Sequence, residues 1–164
     1  MSESKPVATS LENKIDFQLS TQEQNERELL CKNVIDSHMY AMLCTRFDLC
    51  YTVSLLSRYQ SKSNERLWKL LKRIIRCIKD TLNYKIIFRT TNDLTPLICF
   101  TDASFATNDP EVYSTSNYWI KSFEEHLIIW TSRHQSTFAL GTMIALCEAT
   151  RNVIYIFKTI TEFF

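Results

Sequence analysis

Glycine is almost missing from this chain: Gly141 is the only one in 164 residues, against a usage of roughly 7% in ordinary domains. Glycine is the residue that takes φ > 0 without strain at turns and helix ends, so most connections must rely on Asn, Asp or Ser. Such a composition is expected of a sequence that has drifted from a better-formed ancestor. Paired metal or redox cysteines are missing too. The six cysteines, Cys31, Cys44, Cys50, Cys77, Cys99 and Cys147, include no C-x-x-C pair; they read as buried free thiols in a reducing compartment. His38, His126 and His134 show no zinc-ligand spacing with them. The stretch from Met1 to Ser10 is polar and has no apolar core of a secretion signal. No apolar run approaches the ~18 residues of a membrane span. Net charge is only +1, which favours no class of partner. These absences predict an intracellular protein, cytoplasmic or nuclear and not secreted, with neither membrane nor zinc.

What is present suffices for a core: 45% of residues are hydrophobic and 12% aromatic, in a length that fits one domain or a small domain with a helical appendage. Residues 1–25 are polar, with Pro6, and predict a flexible lead-in that touches the body at Ile15 and Phe17. From Glu26, Leu29, Leu30, Val34, His38 and Met39 recur at helical spacing. Thr45 is a candidate N-cap and Asp48 a first-turn charge for a second helix reaching about Tyr59. Ser63 or Asn64 then caps a third helix to about Asp80.

That third helix has the clearest pattern. Leu67, Trp68, Leu71, Ile74, Ile75 and Ile78 form an apolar face, and Arg66, Lys69, Lys72, Arg73, Arg76 and Lys79 line the other. Over residues 64–80 the six bases outweigh Glu65 and Asp80 by four charges, leaving −3 on the rest of the chain. Basic side chains on one rigid face displace counterions from a nucleic-acid backbone; the alternative is an ordinary solvated face. After Thr81 the period shortens. Tyr84 to Phe88, Pro96 to Asp102, Asn117 to Lys121 and Leu127 to Thr131 read as strands, the last two joined by a turn from Ser122 to His126. Thr137 to Phe164 is ambiguous. Met143, Leu146 and Cys147 suggest a helix, whereas Val153 to Phe157 has the β-branched and aromatic content of a strand.

Five blocks, in order, resemble the end of the reverse transcriptase region and the RNase H-like domain of copia-type retrotransposon Pol polyproteins. They are Ser37-His38-Met39-Tyr40 with Cys44 to Asp48 and Leu55 to Tyr59; Trp68 with Leu71 to Ile74, Arg76 and Thr81; Phe100-Thr101-Asp102-Ala103-Ser104-Phe105-Ala106; Ser114-Thr115-Ser116-Asn117-Tyr118; and Ile129 to Thr137. Together they cover about residues 15–160. Where the family pattern carries glycine, this chain has Asp36, Asp80, Thr107 and Asn117, and Phe47 stands at a family proline. The family segment that bears a catalytic glutamate has shrunk to Gly141 to Ile144 before Ala145 resumes the pattern.

The resemblance implies an α/β fold: N-terminal helices followed by an incomplete RNase H-like mixed sheet with one C-terminal helix. It divides the chain into a lead-in at 1–25, a helical connection region at 26–83 and a partial RNase H-like domain at 84–164. In the intact family, two Mg²⁺ ions about 3.5–4 Å apart drive in-line cleavage of the RNA strand, and several carboxylates must hold these hard cations. By resemblance Asp102 is the bridging ligand, here vestigial. The second family ligand falls in the shortened segment, and Glu148 belongs to a later turn of the same helix. The third would lie beyond Phe164, and the polymerase carboxylates upstream. The expectation is therefore a catalytically inactive fragment with no bound cofactor. Its parent's partners are an RNA–DNA hybrid or template-primer. The alternative is a nucleic-acid-binding module reused by the host, working through helix 64–80.

Overall fold

A computed structural model describes residues 4–12, 25–61, 64–89, 97–104, 114–122, 126–136 and 141–163. The chain divides into two compact units, Met1–Lys85 and Ile86–Phe164. The expected succession of N-terminal helices, a small sheet and one C-terminal helix is present.

The first unit is helical. Helix α1 spans Asn25–Cys44, a 3₁₀ turn Phe47–Leu49 follows, and α2 (Cys50–Ser57) and α3 (Glu65–Asp80) complete it. Helix α1 buries Cys31, Ile35, His38 and Met42, a stripe at four-three-four spacing that packs on α2 and α3. The expected face was rotated from this one, since Leu29 and Leu30 are exposed. Periodicity alone could not choose between two apolar stripes on one helix; the neighbours did. Thr45 does not cap the next turn. Its N-cap position is Arg46, whose side chain has only donors and makes no cap bond; the guanidinium grips the Asp48 carboxylate instead.

Helix α3 starts where Asn64 Oδ1 accepts the Leu67 N–H at 2.8 Å, satisfying one of the free donors of the first turn. Glu65 and Lys79 sit at the ends that the helix dipole favours. The buried stripe is Leu67, Leu70, Leu71, Ile74 and Cys77, with Trp68, Ile75 and Ile78 half-buried at its margins. The helix stops at Thr81, whose hydroxyl donates back to the Cys77 carbonyl at 2.8 Å.

Tyr84 to Phe88 forms no strand. A strand needs a ladder partner for its backbone groups, and none of the three described strands pairs with it. Its end is tied instead to β3: Arg89 N–H donates to His126 Nε2 at 2.7 Å, and the Phe88 and His126 rings lie 5.6 Å apart.

In the second unit, β1 (Ile98–Ser104), β2 (Thr115–Ser122) and β3 (His126–His134) form an antiparallel sheet in that order. A register shift at Ile120/Lys121 places the extra residue, Ile128, in β3. Helix α4 (Gly141–Phe163) covers one face. Its Ala149, Val153 and Ile156 pack with Tyr118, Ile120, Cys99 and Ile129, and Ala145 is fully buried on the same stripe. This settles the ambiguous tail. Val153 and Ile156 reach the sheet only at helical spacing from Ala149, so tertiary packing overrides their β preference. At 1.5 Å per residue the helix runs ~34 Å, past the ~26 Å length of strands of eight residues. Ile154, Tyr155 and Phe157, on its outer surface, stay exposed.

Candidate nucleic-acid interface and the Asp102 position

Helical geometry separates the six cations of α3 into two adjacent rows: Arg66, Lys69, Arg73 and Arg76, and beside them Lys72 and Lys79. The buried stripe on the opposite side anchors the helix, so its basic face is rigid. The structure brings an unforeseen neighbour to that face. Residues 4–12 run along it antiparallel to the helix, where polarity had suggested a flexible lead-in; residues 13–24, with Ile15 and Phe17, lie outside the described residues.

The bonds are individually ordinary and collectively specific. Lys79 Nζ donates to the Ser4 carbonyl at 3.1 Å and Arg76 Nε to the Lys5 carbonyl at 2.6 Å. Arg73 donates to the Thr9 carbonyl at 3.1 Å and the Thr9 hydroxyl at 2.8 Å. Glu12 receives Arg66 at 2.9 Å and stands 3.8 Å from Arg73. Ser10 and Thr52 share a hydroxyl hydrogen bond of 2.8 Å, which fastens the segment to α2. Of the remaining cations, Lys69 is exposed, and Lys72 Nζ sits 5.2 Å from the centroid of the Trp68 ring. The signal that sequence reading passed over was Glu12: an acid in a polar segment, matched to a surplus of cations elsewhere.

Asp102 lies on β1 with its side chain on the exposed face of the strand. Across the ladder it opposes Asn117. The adjacent row on that face holds Phe100 and Trp119, stacked with centroids 5.3 Å apart, and Lys121 Nζ lies 5.8 Å from the Phe100 centroid. Strand alternation puts Cys99, Thr101 and Ala103 on the opposite face, which α4 covers. Glu148 belongs to that covered side. Burial, and secondarily the charge of Glu148, pushes the Tyr118 phenol up from its ordinary pKa, and Asn152 Nδ2 donates to that phenol at 2.8 Å. Asp102 and Glu148 are thus on opposite sides of the sheet.

A Mg²⁺ pair needs several oxygen ligands converging on one point. The described residues do not fit it: Asp102 is opposed by an amide, the helix acid is behind the sheet, and no group of three His, Cys, Asp or Glu comes together to hold a metal ion. Asp109, Glu111, Glu124 and Glu125 lie outside the described residues. None of the six cysteines forms a disulfide; Cys31, Cys50 and Cys77 are buried, Cys99 is half-buried, and Cys44 and Cys147 are exposed, against the expectation of burial. No described helix is long and apolar enough to cross a membrane.

No protein-family model matches the chain, and no solved structure matches it. Among curated proteins, secreted RxLR effector protein 161 of Plasmopara viticola is 31% identical over 128 residues, which cover 76% of this chain and 89% of that protein. The retrovirus-related Pol polyprotein from transposon TNT 1-94 of Nicotiana tabacum is 27% identical over 172 positions, covering 99% of this chain but 13% of the polyprotein. The chain therefore belongs to the same family as secreted RxLR effector protein 161, and its sequence is of retrotransposon Pol-like origin.

Proposed function

We propose that this chain is a catalytically silent descendant of a copia-type Pol polyprotein whose remaining chemical capacity is to contact nucleic-acid phosphates through α3. In this reading residues 26–83 derive from the end of the reverse transcriptase region and 84–164 from a partial RNase H-like domain. The observation that carries it is the basic face of α3: six cations held on a capped helix whose other side is locked into a core. Such an array interacts with a polyanion through counterion release. The isolation of Asp102 from Glu148 supports the silent half of the reading.

The test is binding of a labelled RNA–DNA hybrid by fluorescence anisotropy across a salt series. The comparison is a variant with Arg66, Lys69, Arg73 and Arg76 replaced by Gln. Affinity is expected to fall with salt, and the slope of log K against log salt to shrink by roughly 0.9 for each phosphate no longer neutralised, the value for duplex DNA. Equal affinity of the two proteins would remove α3 from the interface. In parallel, hybrid cleavage in Mg²⁺ and Mn²⁺ is expected to stay at background; cleavage abolished by Asp102→Asn would sink the silent half.

The coverage of 89% of a relative named as a secreted effector favours a second reading, a protein exported from its cell of origin. This chain contains no Arg-x-Leu-Arg tetrapeptide, and its thiols suit a reducing compartment. Tagged chain in the culture filtrate would support export, and tagged chain confined to the cell pellet would support the intracellular placement.

A further inference from the structure

We infer that residues 4–12 are an intramolecular strap that competes with nucleic-acid phosphates for the cations of α3; the inference rests on the phosphate-binding reading above. The strap meets these cations in register. From Ser4 at Lys79 to Glu12 at Arg66, eight peptide steps follow thirteen helix residues, a rise of ~20 Å that needs about 2.5 Å per step, within the ~3.3–3.6 Å reach of an extended chain. Each contact offers a cation an oxygen: the carbonyls of Ser4, Lys5 and Thr9, the Thr9 hydroxyl and the Glu12 carboxylate. Phosphate oxygens would satisfy the same donors, and with charge.

The strap is built to be held without being locked. Its fixed points are the Ser10–Thr52 hydrogen bond and two long contacts to the helix backbone and thiol, Val7 N–H to the Arg76 carbonyl at 3.4 Å and Cys77 Sγ to the Ala8 carbonyl at 3.9 Å. Its one charged ligand is Glu12, whose side chain and that of Arg66 are each more than 40% exposed. Exposed ion pairs of this kind are weak and screened by salt. A polyanion adds many charges at once and so outcompetes a single carboxylate. Lys69 is exposed between Arg66 and Arg73 and is the point at which phosphate engages first. Release then proceeds from the Glu12 end, because Arg66 and Arg73 share that carboxylate.

The experiment uses the full chain and a labelled 12-base-pair RNA–DNA hybrid at low salt. It compares the wild type with Glu12→Gln, Thr9→Glu and a control, Glu162→Gln, on the exposed end of α4. Loosening the strap with Glu12→Gln is expected to tighten binding about two- to fivefold, the size of one exposed ion pair. Thr9→Glu, which places a carboxylate where Arg73 already donates, is expected to weaken it. The control separates a local effect from the change in net charge and is expected to match the wild type. Hydrogen exchange at the Val7 amide is expected to speed up when the hybrid saturates the protein. Binding by the wild type with no change in Glu12→Gln, and no change in Val7 exchange, would overturn the strap while leaving the phosphate-binding reading intact. Absence of binding by every protein would overturn both.

Discussion

Arg46 grips Asp48 with two parallel bonds, Nε to Oδ1 at 2.8 Å and Nη2 to Oδ2 at 2.7 Å, and the same Nη2 reaches the Thr81 hydroxyl at 2.6 Å. Two residues of one turn are thereby tied to the end of α3, 35 positions along the chain. Arg46 is only 8% exposed, and its bonds to Asp48 hold its charge more firmly than usual. The planar fork matters here, because it fits a carboxylate with two donors and still leaves one for Thr81.

Replacing Arg46 by Met is expected to destabilise the helical unit by about 2–3 kcal/mol, since it leaves a carboxylate and a buried hydroxyl without their donor. The figure lies below that for fully buried pairs because the Asp48 side chain is 26% exposed and water can reach it. Arg46→Lys is expected to recover less than half, a point charge being unable to bridge both partners. Urea midpoints followed by helical circular dichroism measure both, and equal stability of Arg46→Lys and wild type would show that charge alone suffices.

Gly141 opens α4 against Ser114. A Cβ added there would stand 2.9 Å from Ser114 Oγ and 3.0 Å from Ser114 Cβ. The site has little freedom to relax, because Gln135 clamps it: its backbone N–H donates to the Ser114 carbonyl at 2.9 Å and its Nε2 to the Gly141 carbonyl at 2.8 Å. Gly141→Ala is expected to cost about 1–3 kcal/mol through overpacking. Combining it with Ser114→Gly is expected to give less than the sum of the two single losses, a coupling that a double-mutant cycle of denaturation midpoints reads directly. Strict additivity would place the strain elsewhere.

His38 is buried in the α1 stripe with Nδ1–H donating to the Val34 carbonyl. Burial lowers its pKa from the ordinary 6.5, and the hydrogen bond opposes this only in part. A folded-state pKa below the unfolded one means that the unfolded chain takes up the proton first. Stability is therefore fully present above pH 6.5 and declines as pH falls toward the depressed folded value. His38→Gln is expected to remove that decline below pH 6.5. Parallel pH–stability curves for the two proteins would assign the effect to other groups.

Some of this architecture was legible in the residues alone. Helix α3 could be read with a cap at Ser63 or Asn64 and its cationic face because both are local signals, carried by residues three or four apart; the structure chose Asn64. The strands β1 to β3 were located by apolar runs and turn residues, again local patterns, though their ends fell up to three residues away from those expected. Where two local signals competed, reading stalled: the stretch Val153 to Phe157 satisfies strand preference and helical spacing equally, and Leu29 with Leu30 offers α1 a second apolar stripe.

By itself, the sequence determined the α/β class, the Pol-like descent and the surplus of charge on residues 64–80, because each resides in residue identity and short-range order. Only the tertiary structure decided which face of α1 is buried, that Val153 and Ile156 serve a helix, that Asp102 and Glu148 stand on opposite sides of the sheet, and that Glu12 meets Arg66 across 54 positions. These are long-range pairings. Their free energy depends on which surfaces meet, and no window of neighbouring residues contains both partners.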